Sequence, residues 1–353
     1  MNYMEQLCFF PEAGQSKGLP TDMMAYFPGL FSPEESDGGP PAATASKMSV
    51  PQLVRCSIDR LREELRTMET ASAVFWRRAE QLGQGYPEHL FLNPFSTPVF
   101  MFPLWVEQSL SETQDVDFQY ELAYASIALY FYLRILDDAM DGHVESGSLL
   151  PLLTSLFAHC THALQKLFPH GDQFWAYFHK LIDLSTEGMV VDFTATDLGS
   201  EDFCQLSAQT FYCALIPMAA VLCRYNRCDQ FERWSEFWHA FSAWNQMRDD
   251  VRDWYADKES NFCTYLLSQA QRLKRQDESV EEWMIRDGYR WSIGVLNQFA
   301  KRARELTTEL NVPEMEEELE AQYDRLSQHL ERLCNTFSRI DRDMGRVLNG
   351  LAG

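Results

Sequence analysis

Apolar residues recur every three or four positions along most of the chain after residue 50, which is the spacing of one face of a helix. The first predicted helix covers residues 53–82 and places Leu53, Ile58, Leu61 and Leu65 on such a face. The sequence contains no strand-like alternation and no hairpin turn signals. We therefore predict an all-α fold, and the short connections favour one bundle over two domains.

The same apolar spacing predicts further helices in the rest of the chain. The N-terminal region does not show this spacing. Residues 1–47 are rich in Pro, Gly, Ser and acidic residues, which predicts a flexible extension ahead of a body that spans 48–353. Within the body, the segment around 93–109 is interrupted by three prolines. The other predicted helices cover about 116–141, 148–168, 172–197, 202–223, 229–257, 261–274, 278–309 and 314–349.

The net charge and the cysteine pattern limit the functional classes to which the protein can belong. The formal net charge of -22 and an isoelectric point near 4.7 argue against nucleic acid and against stable association with anionic membranes. No apolar run reaches the length of a membrane-spanning helix, and no basic segment followed by an apolar core marks a secretory signal. The nine cysteines show no zinc-like spacing. We expect free thiols and a cytoplasmic location.

The first acidic cluster ends a long apolar and aromatic segment, residues 124–136. It consists of Asp137, Asp138 and Asp141. Asp137 and Asp141 are four residues apart, so they share one face of a helix, where like charges repel unless a cation lies between them. Magnesium is the natural candidate, because it takes one or two carboxylates and completes its shell with water and phosphate. Taken alone, the cluster is explained equally well by a solvated helix end.

A second acidic cluster follows another aromatic segment, residues 231–244. Three aspartates recur there at every fourth position, and a further aspartate and two amides lie within one turn of them: Asp249, Asp253, Asp257, Asp250, Asn245 and Gln246. Two such clusters, each closing an aromatic helix, arise by accident much more rarely than one. The pair therefore favours a functional interpretation over a solvated surface.

Two facing carboxylate clusters can hold several hard cations. These cations bind a diphosphate, neutralise its charge and make it a better leaving group. We predict that several Mg²⁺ ions, with Mn²⁺ as the alternative, bind to the seven aspartates Asp137, Asp138, Asp141, Asp249, Asp250, Asp253 and Asp257. Of these, we expect Asp137, Asp141, Asp249 and Asp253 to act most directly in catalysis. The amides of Asn245 and Gln246 are expected to contact the substrate.

These motifs resemble those of a known family. Residues 131–142 (FYLRILDDAMDG) resemble the first aspartate-rich motif of the class I isoprenoid synthase superfamily. Residues 245–254 (NQMRDDVRDW) resemble the second motif in the form that prenyltransferases and prenyltransferase-like terpene cyclases carry. Weaker similarity extends to 186–192 and 209–217, and the whole resemblance covers about residues 50–350. It implies a single α-helical bundle with a central cavity and a prenyl diphosphate substrate.

Departures from the family pattern favour a cyclase. Chain-elongating members carry an Arg-Arg pair after the first motif, whereas residues 143–148 contain no arginine, and neither does the early stretch 82–89. A second diphosphate would meet uncompensated carboxylates there, at a cost of several kcal/mol. Residues 181–223 contain no Lys or Arg, so the arginine that many terpene cyclases carry in this window is also missing. We expect Lys258 and Arg134 to supply cations, with Arg248, Arg252, Lys180, Arg224 and Arg227 as alternatives.

The resemblance thus implies a magnesium-dependent terpene cyclase, with farnesyl diphosphate preferred and geranylgeranyl diphosphate as the alternative substrate. A prenyltransferase and a catalytically silent partner subunit remain as other hypotheses, and a homodimer stays open. We expect apolar and aromatic residues to line the cavity: Phe102, Trp105, Phe131, Met189, Phe193, Phe211, Trp238 and Trp244.

Overall fold

A computed structural model describes the backbone of residues 47–92, 97–140 and 147–351, with side chains except at 97–99, 333 and 337–351. The extension predicted for residues 1–47 therefore lies, apart from Lys47, outside the described residues. All of the regular secondary structure in the described ranges is helical, which confirms the all-α prediction. The α-helices are α1 (Val50–Glu64), α2 (Glu69–Leu82), α3 (His89–Leu92), α4 (Thr97–Leu110), α5 (Val116–Met140), α6 (Leu150–Leu167), α7 (Phe174–Thr194), α8 (Ser200–Gln209), α9 (Leu215–Arg224), α10 (Phe231–Ser260), α11 (Tyr265–Leu273), α12 (Val280–Trp283), α13 (Tyr289–Leu310) and α14 (Pro313–Leu351).

Three segments predicted as continuous helices are interrupted. A 3-10 turn over Leu65–Thr67 separates α1 from α2, and a π-helical turn over Met284–Gly288 joins α12 to α13. The segment predicted over 202–223 divides into α8 and α9 around a second 3-10 turn, Tyr212–Ala214. Pro217 explains this last break, because its ring clashes with the carbonyl four residues earlier and prevents one helix from running through both.

The helix at the centre of the bundle is α9, in which every residue from Leu215 to Cys223 is buried. It contacts α4, α5, α7 and α10, and a helix that is apolar on all sides is stable in such an interior position. Within the described ranges, no single helix combines the length and apolarity needed to cross a bilayer, although Ser200–Gln209 and Tyr212–Arg224 meet both criteria as a pair bent by 48°.

Helix α7 packs closely against the chain reversal between α8 and α9, and Gly188 permits this contact. A Cβ atom on Gly188 would lie 2.8 Å from the carbonyl carbon of Gln209 and from the backbone nitrogen of Thr210. One turn earlier, the Ser185 hydroxyl donates to the Thr210 carbonyl at 2.9 Å. The backbone on both sides is therefore fixed, and an added methyl group has no space.

We expect Gly188→Ala to lower the free energy of unfolding by about 1–3 kcal/mol, because overpacking against rigid backbone is destabilising. The matched control is Gly294→Ala in α13, where a Cβ would meet nothing within 4 Å. That control should raise stability by up to about 1 kcal/mol, since alanine favours helix over glycine. Urea unfolding of both variants measures the difference, and a change of the same sign in both would contradict the packing at Gly188.

Candidate active site

The first acidic cluster lies where α5 ends, and its aspartates differ in environment. Asp138 lies on the buried face of α5 together with Phe131 and Ile135, and only 2% of its side chain is exposed. Asp137 is rotated toward solvent and is 50% exposed. Asp141 lies outside the described residues, so its pairing with Asp137 stays a prediction.

Two arginines neutralise the buried Asp138. The Arg78 guanidinium donates to Oδ2 from Nη2 at 2.8 Å and from Nε at 3.2 Å. The Nη2 atom of Arg134 forms an ion pair with Oδ1 at 2.8 Å, and its Nη1 lies 3.5 Å from Oδ2 of Asp137. A carboxylate this deeply buried is stable in its charged form only with such partners.

Sequence reasoning missed Arg78. It lies on α2, and 60 residues separate it from Asp138. One signal was available: Arg78 is three residues after Phe75 and next to Ala79, both of which are buried. An arginine that shares the apolar face of an amphipathic helix needs a buried partner.

The second acidic cluster forms a partly exposed stripe on α10, and arginines accompany it as well. The Oδ1 atom of Asp249 lies 3.0 Å from Nη2 of Arg248 and 3.2 Å from Nη1 of Arg252. Arg252 also donates from Nε to both oxygens of Asp253 at 3.0 Å. Asp257 continues the stripe one turn later and is half-buried. Each cluster thus places two arginines beside its carboxylates.

Asp250 points into the protein, away from the stripe. Its Oδ1 accepts a hydrogen bond from Nε2 of Gln246 at 3.1 Å, and its Oδ2 accepts one from the Leu266 backbone N–H at 3.3 Å. Burial raises the pKa of Asp250 to about 7. Asp138 and Asp250 therefore occupy equivalent places: in each cluster the second aspartate is buried against protein groups, while the first remains partly exposed.

Asp250 should make stability depend on pH. Its pKa is about 7 in the folded protein and about 4 in an unfolded chain. Between these values the folded protein keeps a proton that the unfolded chain has released, so the free energy of unfolding falls as pH rises from about 4 to 7. The loss approaches about 4 kcal/mol.

We expect Asp250→Asn to remove this contribution. In metal-free buffer, the variant should gain stability relative to the natural protein as pH increases through the window, and the gain should level off above pH about 7. Urea unfolding of both proteins at matched pH values isolates the effect, since other titrating groups cancel in the difference. Parallel stability curves would contradict a buried, protonated Asp250.

The donor atoms of both clusters suit a hard divalent cation. Asp137, Asp249, Asp253 and Asp257 offer partly exposed carboxylate oxygens. The Oδ1 atom of Asn245, one turn before Asp249, is buried and accepts no hydrogen bond from the described residues. Among those residues, no group of three or more His, Cys, Asp or Glu side chains is placed to hold a metal unaided. Magnesium suits such a set, because it binds through one or two carboxylates with water and phosphate as further ligands.

Two other cations that the sequence suggested, Lys258 and Arg224, pair with carboxylates outside the two clusters. The Nζ atom of Lys258 lies 2.7 Å from Oε1 of Glu281 and 3.1 Å from Oε1 of Glu259. The hydrogen bonds to these two carboxylates raise the pKa of Lys258. Arg224 pairs with Asp115 at 2.7 Å. Among the described residues, the arginines seen in direct contact with the clusters include Arg78, Arg134, Arg248 and Arg252.

The residues predicted to line a cavity fall into two groups. Phe102, Trp105, Phe131, Trp238 and Trp244 are buried among other rings. Phe102, for example, lies 5.5–5.6 Å from the ring centroids of Phe237, Trp238 and Phe241, which joins α4 to α10. Phe131 makes edge contacts with Phe75, Trp76 and Phe91.

The second group lies at the end of α7 and at the reversal between α8 and α9. Phe193 is 58% and Phe211 is 45% exposed, and Met189 is half-buried. Val190 and Val191 beside them are also exposed. The apolar side chains at this end of the bundle therefore face solvent, whereas the aromatic residues that precede the two acidic clusters are packed in the core.

Comparison with known proteins assigns no family: the chain matches no family model, and no curated protein matches it. The similarity to class I isoprenoid synthases rests on the sequence motifs.

Proposed function

We propose that the protein is a magnesium-dependent terpene cyclase that ionises a linear prenyl diphosphate and closes the carbocation into a ring. The observation that carries this proposal is the repetition of one arrangement. A partly exposed aspartate, a buried second aspartate and two arginines occur at the end of α5 and again on α10. A solvated acidic face has no requirement for a pair of arginines beside each cluster. The arginines contact the buried Asp138 in the first cluster and the partly exposed Asp249 and Asp253 in the second.

The arginines beside the aspartates supply positive charge where a diphosphate would bind. A diphosphate bound beside aspartates needs cations, and residues 181–223 offer none. Arg78, Arg134, Arg248 and Arg252 are already next to the carboxylates. When Mg²⁺ is bound, it neutralises the aspartates and the diphosphate and polarises the bond to the departing oxygen. The guanidinium groups of Arg134, Arg248 and Arg252 lie beside partly exposed aspartates, where they would hold the diphosphate in bidentate fashion. Arg78 would stay paired with the buried Asp138.

The allylic cation formed on departure needs an environment without water. The ring faces of aromatic residues stabilise positive charge, and the segments that lead into both clusters are rich in them. These rings are packed in the core, so the prenyl chain would have to displace part of that packing to reach them. Loss of a proton, with diphosphate as the base, ends the reaction. Farnesyl diphosphate is the preferred substrate. A single helical domain with many large aromatic side chains suits a small, compact product.

The test is incubation of the protein with farnesyl or geranylgeranyl diphosphate and Mg²⁺, followed by chromatography of extracted hydrocarbons. We expect a cyclic hydrocarbon from one substrate alone. A prenyltransferase would form product only when a second prenyl diphosphate or another acceptor is added. A silent subunit would form no product under any condition, and that result would overturn the proposal.

A further inference from the structure

Two cysteine sulfurs are in contact at the junction between α9 and α10. The Sγ atom of Cys223, in the last turn of α9, lies 2.9 Å from the Sγ atom of Cys228, which begins the 3-10 turn Cys228–Gln230. A disulfide bond measures about 2.05 Å, so a movement of about 0.9 Å would close one. The pair takes no part in the proposed cyclase chemistry.

The backbone between the cysteines holds them together. Asn226 adopts the left-handed conformation with φ 54°. The Arg227 N–H donates to the Leu222 carbonyl at 2.7 Å, and the Asn226 N–H donates to the Cys223 carbonyl at 3.1 Å. These two bonds around a left-handed residue form a Schellman motif. The motif turns the chain back, so that Cys228 returns against the end of α9.

Side-chain contacts anchor the same turn to the rest of the bundle. The Nη2 atom of Arg224 lies 2.7 Å from Oδ2 of Asp115, just before α5. The Tyr225 hydroxyl donates to Oε1 of the buried Glu107 in α4 at 2.8 Å. The thiols are therefore held side by side before any reaction, which reduces the entropy lost when they are joined.

We propose that Cys223 and Cys228 form a dithiol site that reacts with small disulfides of the glutathione class and closes to a reversible disulfide between the end of α9 and the 3-10 turn that precedes α10. This inference does not depend on the proposed cyclase activity. Transient disulfides of this kind are the form that redox-responsive sites take in reducing compartments.

The exchange has a defined order. Cys228 is half-buried and Cys223 is buried, so a small disulfide meets Cys228 first. The Cys228 thiolate attacks one sulfur of the small disulfide and expels one small thiolate, which leaves a mixed disulfide on the protein. Burial raises the pKa of the Cys223 thiol, so Cys223 stays protonated while Cys228 reacts first. Cys223 attacks the Cys228 sulfur, its proton leaves with the second small thiolate, and the protein loses two electrons in total.

Trypsin provides a direct test, because Arg224 and Arg227 lie between the two cysteines. The full-length protein is incubated with oxidised glutathione, its remaining thiols are alkylated, and it is digested without reduction. We expect peptide 181–224 joined to peptide 228–233, in at least half of the protein, and separate peptides after reduction. Absence of the linked peptide from folded protein would overturn the proposal.

Matched variants locate the bond. Peptide 181–224 also contains Cys204 and Cys213, so Cys204→Ser and Cys213→Ser should each leave the cross-link unchanged. Cys223→Ser should abolish the cross-link and retain glutathione on Cys228, and Cys228→Ser should abolish the cross-link. A linked peptide that persists in Cys223→Ser, or that forms only in urea, would contradict a preformed pair. Circular dichroism before oxidation verifies that each variant is folded.

Discussion

Replacing Asp249 with asparagine is expected to reduce turnover of farnesyl diphosphate by at least about 100-fold, because it removes a charged ligand from the proposed metal-and-diphosphate site. Asp249 is the first aspartate of the second cluster, and it forms ion pairs with Arg248 and Arg252. An asparagine keeps the size of the side chain and abolishes its charge. The measurement is the rate of hydrocarbon formation at saturating Mg²⁺ and substrate.

The matched control is Asp183→Asn, which makes the same change on an exposed position of α7. It should retain turnover within about twofold, since surface substitutions away from a site have small effects. Thermal unfolding followed by circular dichroism separates a loss of activity from a loss of fold. Equal activity in the two variants would show that the second cluster is a surface feature, and the proposed function would then fail.

Arg78→Met is expected to lower the free energy of unfolding by about 3 kcal/mol, because breaking a buried ion pair leaves a charge inadequately compensated. Arg78 contributes two of the close contacts to Asp138, whose side chain is 2% exposed. Methionine fills a similar volume without charge. Arg134 would then be the remaining arginine beside Asp137 and Asp138 among the described residues. Urea unfolding monitored by tryptophan fluorescence measures the change.

Arg77→Met is the control for this effect. Arg77 is the neighbouring residue on α2 and is exposed, so its replacement should change stability by no more than about 0.5 kcal/mol. Both variants carry the same charge change on the same helix. If the two lose the same stability, the Arg78–Asp138 contact contributes nothing specific, and the buried network at the first cluster is misassigned.

The long apolar helices were the part of the fold that sequence reasoning predicted best. The segment predicted over 116–141 corresponds to α5, Val116–Met140, because its apolar run is continuous and carries no breaker. The breaks around Leu65, Tyr212 and Met284 were missed. Apolar spacing continues through each of them, and hydrophobic periodicity does not report such interruptions. Pro217 was a sequence signal for the break around Tyr212.

The sequence predicts which aspartates belong to the two clusters. It predicts less well which way their side chains point and what they contact. Spacing alone placed Asp249 and Asp253 on one stripe, as the structure has them. The inward orientation of Asp138 and Asp250 follows from the same helical geometry, since one residue further along turns the side chain by about 100°. The partners of these two aspartates were not predictable. Arg78 and the Leu266 amide come from other helices, and only the packing of the bundle brings them there.

Anomalous diffraction from crystals grown with Mn²⁺ and inorganic diphosphate tests most directly whether the two acidic clusters form one site. We expect manganese peaks within about 2.2 Å of carboxylate oxygens from both Asp137 and Asp249, with a single diphosphate bridging the ions. Arginine side chains from the two clusters should contact that diphosphate. Manganese bound to one cluster alone, or diphosphate bound away from both, would contradict the proposal that the cluster at the end of α5 and the cluster on α10 act together.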